Sequence, residues 1–372
     1  MRGRGDPMAQ SRVRAVYMRG GTSRCLAFHD RDLPPAGPAR DRILMAALGS
    51  PDPYGRQLDG LGGGISSLSK AFVIGPPTHP DAQVDYTFAQ IEIGRAVVDY
   101  TGNCGNCSSA VGPFAIDERL VPYASGETAV RIHNTNTRKI IVARVPVVDG
   151  EAAVVGDFEL PGVAGLGARI ALDFLDPGGS RTGRLLPSGR PRDMIAGVEA
   201  SMVDATNPMV FVRAKDLGLG GTEPPAAMDA DKKLVARLEA IRVAAAEAMG
   251  IPGSAATPKV AVVAPPIRFT ALDGVAYDAE QTDVVARCIS MGNAHRAFAL
   301  TAAMCLAVAA QIDGTVVSEC AGGRVGDLRL GHPSGVLPIA AAVGRRDGAA
   351  WAERVTVYRT ARRLMEGYVR VP

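Results

Sequence analysis

Gly102-Asn103-Cys104-Gly105-Asn106, followed by Cys107 and Ser108-Ser109-Ala110-Val111-Gly112, places a thiol between two Gly-Asn pairs at the head of a run of small residues. The run reads as the first turns of a buried helix, and the alternating stretch at 96–100 before it reads as a strand. Strand, glycine-rich turn and buried helix together aim backbone N–H groups at whatever sits above the turn. Small residues let a ligand approach the backbone closely, Asn103 or Asn106 caps the helix, and the positive dipole end favours both a bound carboxylate and a thiolate. A buried structural cysteine at a tight turn is the alternative.

Outward from this turn, short apolar runs at 13–18 and 25–28 predict strands around a loop rich in donors, Arg19-Gly20-Gly21-Thr22-Ser23-Arg24. Ile43, Leu44, Ala47 and Leu48 have helical spacing within 39–49, and Gly49 is the stop. A Gly-Ser tract, 59–70, ends in Lys70 and runs at once into an apolar strand at 71–74, which favours a ligand loop over a linker. Strands are expected at 84–93, 127–133 and 139–147, and the pattern continues through 150–160. A Pro- and Gly-rich stretch at 176–191 marks the passage to a second half.

In that half, strands at 209–212 and 260–264 flank a helix at 229–249, and a strand at 283–289 leads into Ser290-Met291-Gly292-Asn293-Ala294-His295 and an apolar helix, 296–311. Laying Asn103-Cys104-Gly105-Asn106 over Ser290-Met291-Gly292-Asn293 brings a Gly-Asn pair and an Ala-rich helix into register, as an internal duplication with one thiol lost would. Two such turns would bring two helix N-termini to one polycarboxylate.

A chain of 372 residues, 47% hydrophobic and 21% charged with 43 glycines, is long enough for two folded halves and suits a globular protein. A net charge of +3, interspersed basic residues and 5% aromatic content argue against a nucleic-acid partner. The most apolar stretch, 297–312, is too short to span a bilayer, so no membrane partner is expected. The first residues lack the apolar core of a leader, so a frayed tail and a cytoplasmic location are the expectation. The six cysteines, at 25, 104, 107, 288, 305 and 320, contain one C-x-x-C spacing without a second pair, which argues against a metal site and for reduced thiols. A redox pair at Cys104 and Cys107 is the minor alternative.

The chain resembles the PrpF-type 2-methylaconitate cis-trans isomerase family, which includes 4-oxalomesaconate tautomerases. The residues carrying the resemblance are Met18-Arg19-Gly20-Gly21-Thr22-Ser23-Arg24, Gly49-Ser50-Pro51-Asp52-Pro53-Tyr54-Gly55, Gln57-Leu58-Asp59-Gly60-Leu61-Gly62-Gly63, Ser66-Ser67-Leu68-Ser69-Lys70, 102–106, and Gly331-His332-Pro333-Ser334-Gly335. The resemblance implies an α+β, diaminopimelate epimerase-like fold of two pseudo-symmetric halves, each a curled, mostly antiparallel sheet around a central helix, with the active site in the cleft between them. The halves would be 12–185, with Lys70 and Cys104, and 186–352, with the Met291-Gly292-Asn293 turn; a strand in 353–372 would return to the N-terminal half.

It also implies an isomerase that moves a double bond or proton in an unsaturated di- or tricarboxylate without a cofactor. Lys70 matches the family's catalytic lysine and Cys104 its catalytic cysteine; shifting a double bond needs one base and one acid, and which residue is which stays open. Binding residues expected around them are Thr22, Ser23, Arg24, Ser67, Ser69, Asn103, Gly105 and Asn106, with Met291, Gly292, Asn293, Arg296 and Ser334 from the second half. Asp59 and Asp85 are weaker candidates to orient Lys70. Met291 in place of a second thiol argues against a two-thiol racemase. A polycarboxylate-binding or dehydratase-accessory protein is the non-catalytic alternative, and a homo-oligomer is left open.

Overall fold

The computed structural model describes residues 10–100, 102–252, 257–290, 292–323 and 326–372. The chain divides into two units, Met1–Leu172 with Arg359–Pro372, and Asp173–Tyr358.

In the first unit, β1 (Ser11–Gly20) and β2 (Ser23–His29) form a hairpin about Gly21 and Thr22, pairing Gly20 with Ser23. β3 (Lys70–Gly75) lies parallel to β2, and β4 (Val84–Ile91) antiparallel to β3. The short β5 (Val98–Asp99) pairs with the end of β4. β6 (Gly126–Asn134) runs parallel to β4 and antiparallel to β7 (Lys139–Val148). The C-terminal strand Ala361–Val371 closes the other edge by pairing along β1, from Ser11 opposite Val371 to Gly20 opposite Ala361.

Alternation sorts the side chains of these strands onto two faces. Val13, Ala15, Leu26, Phe28, Ala71, Val73, Ala89 and Ile91 form one core with α1 (Pro38–Leu48), which starts on a proline and stops at Gly49 in the left-handed region. The opposite face carries Lys70 and Phe72 of β3, and Phe72 meets Phe114 of α2 (Gly105–Asp117) edge-on, ring centroids 5.9 Å apart. With both faces covered, β2 and β3 are buried along nearly their whole length. α2 is buried along nearly its whole length and is touched by β1, β2, β4, β6, β7 and the C-terminal strand. The approach is close: a Cβ on Gly112 would lie 2.8 Å from Val145 and 2.9 Å from Ala143. The serines that would be costly in such a core are satisfied locally, Ser108 on the Cys104 carbonyl at 3.0 Å and Ser109 on the Asn106 carbonyl at 2.7 Å.

The second unit repeats the order of pairings. From the C-terminal strand through β1, β2, β3, β4, β6 and β7 the pairs run antiparallel, antiparallel, parallel, antiparallel, parallel, antiparallel. The same sequence joins Asp193–Ile195, Val198–Ala205, Asn207–Arg213, Lys259–Ala264, Val284–Ser290, Leu328–His332 and Gly335–Arg346. Each unit is therefore a mostly antiparallel sheet with a buried central helix, which in the second is Leu300–Ala310.

Three elements differ from the expected ones. The helix predicted over 229–249 is two, α3 (Pro225–Ala230) and α4 (Lys232–Ala248), because Asp231 stays extended and caps α4 by accepting from the amides of Lys233 and Leu234, both at 3.0 Å. The helix predicted over 296–311 starts later, as α5 (Leu300–Ala310) with Ala299 at its N-cap. Asn293–Ala294 instead folds back on Val284–Ser290, with Gly292 at φ +78° in the turn. Among the described residues no helix is long and apolar enough to cross a membrane.

Candidate active site

Lys70 opens β3 opposite Gln90 of β4, on the face that covers α2. Its residue is 8% exposed. Nζ donates to Gln90 Oε1 at 2.5 Å and stands 5.1 Å from the centroid of Phe88. The Gln90 amide cannot turn over cheaply, since its Nε2 donates to the carbonyls of Ser69 at 2.9 Å and Ser66 at 3.2 Å. The Gly-Ser tract before Lys70 is wound on a second glutamine: Gln57 donates to Ser50 Oγ at 2.8 Å and Ser69 Oγ at 2.7 Å and accepts from the Gly64 amide. The residue that orients Lys70 is thus Gln90. Asp85 lies at the far end of β4, taken up by His133 and Thr78, and Asp59 lines a separate surface cavity. Gln90→Leu is expected to lower kcat about tenfold and to cost about 1–3 kcal/mol of stability in a thermal melt, because the orienting bond is lost and the nearly buried Lys70 Nζ is left without it.

Cys104 is itself the N-cap of α2, its sulfur accepting from the Cys107 amide at 3.4 Å. Neither asparagine takes that role, as was expected from residue type. Asn103 Oδ1 accepts from Asn134 Nδ2 at 3.1 Å and Ser108 Oγ at 3.4 Å, which fastens the turn to β6. Asn106 Nδ2 donates to Thr22 Oγ1 at 3.1 Å. The Cys104 thiol belongs to a residue that is partly exposed. A side-chain hydrogen bond with Cys107 and burial push it well above the ordinary thiol range, and the Lys70 cation and the Cys107 amide only partly oppose them. The Lys70 ammonium is therefore an electrostatic neighbour of this sulfur. The amides of Gly105 and Asn106, the first two of α2, have no carbonyl of the helix to bond.

Of the remaining residues expected from the first half, Thr22 lies exposed in the hairpin turn and Ser23 is buried at the head of β2. Ser67 sits in the 3-10 turn Ser66–Leu68, just before Lys70. Two are not brought to Lys70 and Cys104. Arg24 stacks over Tyr17, centroid 5.6 Å away, on the face that Tyr17 shares with α1. Ser69 is buried, its hydroxyl donating to the Ile91 carbonyl and accepting from Gln57.

Sequence reasoning missed Arg359. It enters the unit just before the C-terminal strand, 6% exposed, and its Nε donates to Asn106 Oδ1 at 3.1 Å. Gly21 makes room beside it, at φ +52°, where a Cβ would fall 2.3 Å from Asn106 Oδ1 and 3.1 Å from Arg359 Cδ. The one signal in the sequence is the expected return of the last strand, which carries no hint of which arginine it delivers.

The second-half residues sit differently from their expected places. Met291 lies outside the described residues. Gly292 and Asn293 form an exposed hairpin tip, and Ala294 of that hairpin packs with α3 and α4, its amide on Asp229. Their amides are not at the start of α5, so the overlay of 290–293 on 103–106 is replaced by Phe298-Ala299-Leu300-Thr301, which holds the same position ahead of the central helix. Arg296 is exposed, and its carbonyl accepts from Ser334 Oγ at 2.6 Å. By order of pairing the counterpart of Lys70 is Lys259, first in its strand, opposite the end of Val284–Ser290 as Lys70 is opposite the end of β4. Burial lowers the Lys259 pKa, and its electrostatic neighbours include Cys288 and His295.

The PrpF protein family matches the chain over residues 10–372. A 3-methylitaconate isomerase from Eubacterium barkeri is 43% identical, over 97% of this chain and 98% of that enzyme. A 2-methyl-aconitate isomerase from Shewanella oneidensis is 40% identical, over 98% of each. The crystal structure of a methylitaconate-delta-isomerase superposes with a TM-score of 0.88 at 42% identity, covering 97% of this chain and 96% of that one.

Proposed function

We propose that this chain, which belongs to the PrpF family and is an isomerase, acts on an unsaturated di- or tricarboxylic acid of the 2-methylaconitate or methylitaconate kind, with Lys70 and Cys104 as its proton-transfer pair. The observation that carries this reading is the placement of Lys70, on the β3 face that covers α2, near enough to the Cys104 thiol at the head of α2 to lower its pKa.

The chemistry follows from that arrangement. Shifting a double bond along such an acid removes a proton from a carbon activated by a neighbouring carboxylate and returns one to another carbon of the same frame. Lys70 is the base that takes up the first proton while its Nζ stays on Gln90 Oε1. The C–H pair of electrons passes into a dienolate, whose charge lies where the amides of Gly105 and Asn106 donate. The Cys104 thiol delivers a proton to the other carbon. Turnover leaves an ammonium and a thiolate side by side, and one proton passing from nitrogen to sulfur restores both. No water enters this balance, which suits a lysine 8% exposed against Phe88.

The test is isotopic. The protein is incubated in heavy water with trans-aconitate, 2-methylaconitate, 3-methylitaconate and 4-oxalomesaconate in turn, and deuterium is followed by NMR. Deuterium is expected at the isomerised position of a methylated acid. Uptake into 4-oxalomesaconate alone would make the chain a tautomerase, and binding of these acids without exchange in any would make it a carboxylate-binding protein.

A further inference from the structure

We propose that Cys104 and Cys107 form a redox modification site, closing to a disulfide when a small-molecule disulfide reaches Cys104 and reopening under a dithiol reductant. Its consequence for turnover rests on the reading above that Cys104 delivers a proton, which the bridge would remove; the bridge itself does not rest on that reading.

Three free thiols meet near the head of α2. Cys104 is the N-cap and Cys107 the third residue of the helix, and the Cys104 sulfur already lies 3.4 Å from the Cys107 amide nitrogen. The two side chains interact thiol to thiol, and Cys107 in turn meets Cys25 of β2. C-x-x-C at the start of a helix is a spacing at which two cysteines exchange between dithiol and disulfide. The backbone under the pair is held in place, since a Cβ on Gly20 of β1 would fall 3.3 Å from Cys107 Cα. Access is one-sided: Cys104 is the partly exposed member, whereas Cys107 and Cys25 are buried and Cys25 Sγ faces the Met18 carbonyl at 3.8 Å. An incoming disulfide therefore meets Cys104 first. The Cys104 thiolate attacks one of its sulfurs and breaks the S–S bond, leaving a mixed disulfide and releasing one small thiolate, which takes up the proton Cys104 lost. The Cys107 sulfur, giving up its proton, then attacks Cys104 Sγ and expels the second small thiol, which carries that proton away. Two protein thiols are oxidised and one small disulfide is reduced to two thiols. Because Cys107 and burial hold the Cys104 thiol above the ordinary range, the first attack is slow at neutral pH and accelerates as pH rises.

The experiment treats the unaltered protein with hydroxyethyl disulfide, a small neutral probe, then quenches in acid, alkylates and digests with trypsin for mass spectrometry. The tryptic peptide 96–119 carries Cys104 and Cys107 and no other cysteine, and Cys25 falls in peptide 25–31. Expected is peptide 96–119 lighter by two hydrogens and closed to alkylation, forming at least about tenfold faster at about pH 9 than at about pH 7 and restored to two alkylated cysteines by dithiothreitol. In Cys107→Ser the same peptide is expected to stop at the hydroxyethyl mixed disulfide on Cys104. Both cysteines still alkylated after prolonged treatment at the higher pH, a lasting mixed disulfide in the unaltered protein, or a cross-link between peptides 96–119 and 25–31 each overturns the proposal, and none of these depends on the variant folding. Activity on the acid found by deuterium exchange is expected to fall about tenfold or more as the bridge forms and to return on reduction. A bridged protein that keeps full activity removes Cys104 from the mechanism and leaves the disulfide site standing.

Discussion

Lys70→Ala is expected to lower kcat by about 10²- to 10⁴-fold, to abolish deuterium exchange into the substrate, and to leave circular dichroism unchanged. The size of the effect follows from the side chain's surroundings. Lys70 Nζ is held by Gln90 and walled by Phe88. The strand does not depend on it, because β3 is fixed by its pairing with β2 and β4 and by Ala71 and Val73 in the α1-facing core. Ethylamine added to the variant should restore part of the rate, since the cavity left by the side chain admits a small amine in the same place. Full activity in a folded Lys70→Ala protein would remove Lys70 from the mechanism.

Cys104→Ser is expected to lower kcat by a comparable 10²- to 10⁴-fold while keeping the helix cap, since a serine oxygen accepts from the Cys107 amide as the sulfur does. Cys104→Ala should lose as much activity and in addition cost about 1 kcal/mol of stability, the usual worth of an N-cap. The pH profile carries a sign. The proton that Cys104 delivers is present below its pKa and lost above it, and that pKa is pushed up by Cys107 and burial. Activity should therefore persist past the ordinary thiol range and fail only at more alkaline pH; a fall below that range would refute the protonated thiol. Alkylation should map to Cys104, the one cysteine that is not buried, and substrate should protect it.

Much of this was legible in the sequence because the signals are local. Short apolar runs announced β1 to β3 and alternation β4, helical spacing and Gly49 bounded α1, and the Gly-Asn pairs around Cys104 announced the head of α2. Where a local signal had two outcomes the tertiary context chose. Asn103 is a good cap by type, yet β6 supplies Asn134 to take its oxygen, and the cap falls to Cys104. The Gly-Asn pair at Gly292-Asn293 looks like the one at Gly105-Asn106, but the chain there closes a hairpin before α5 begins. The duplication is real in the order of strand pairing and was misplaced in sequence register, because pairing order is conveyed by no short motif.

By itself, then, the sequence determined most of the elements, which are properties of neighbours along the chain, and through its family resemblance the α+β architecture and the candidacy of Lys70 and Cys104. Only the tertiary structure decided that Gln90 faces Lys70 across a hairpin register, that Arg359, 253 residues beyond Asn106, reaches the same turn, and that Cys107 and burial push the Cys104 pKa up. Those three depend on which distant groups share a low-dielectric space, and burial sets both the strength and the sign of charge interactions there, which spacing along the chain does not encode.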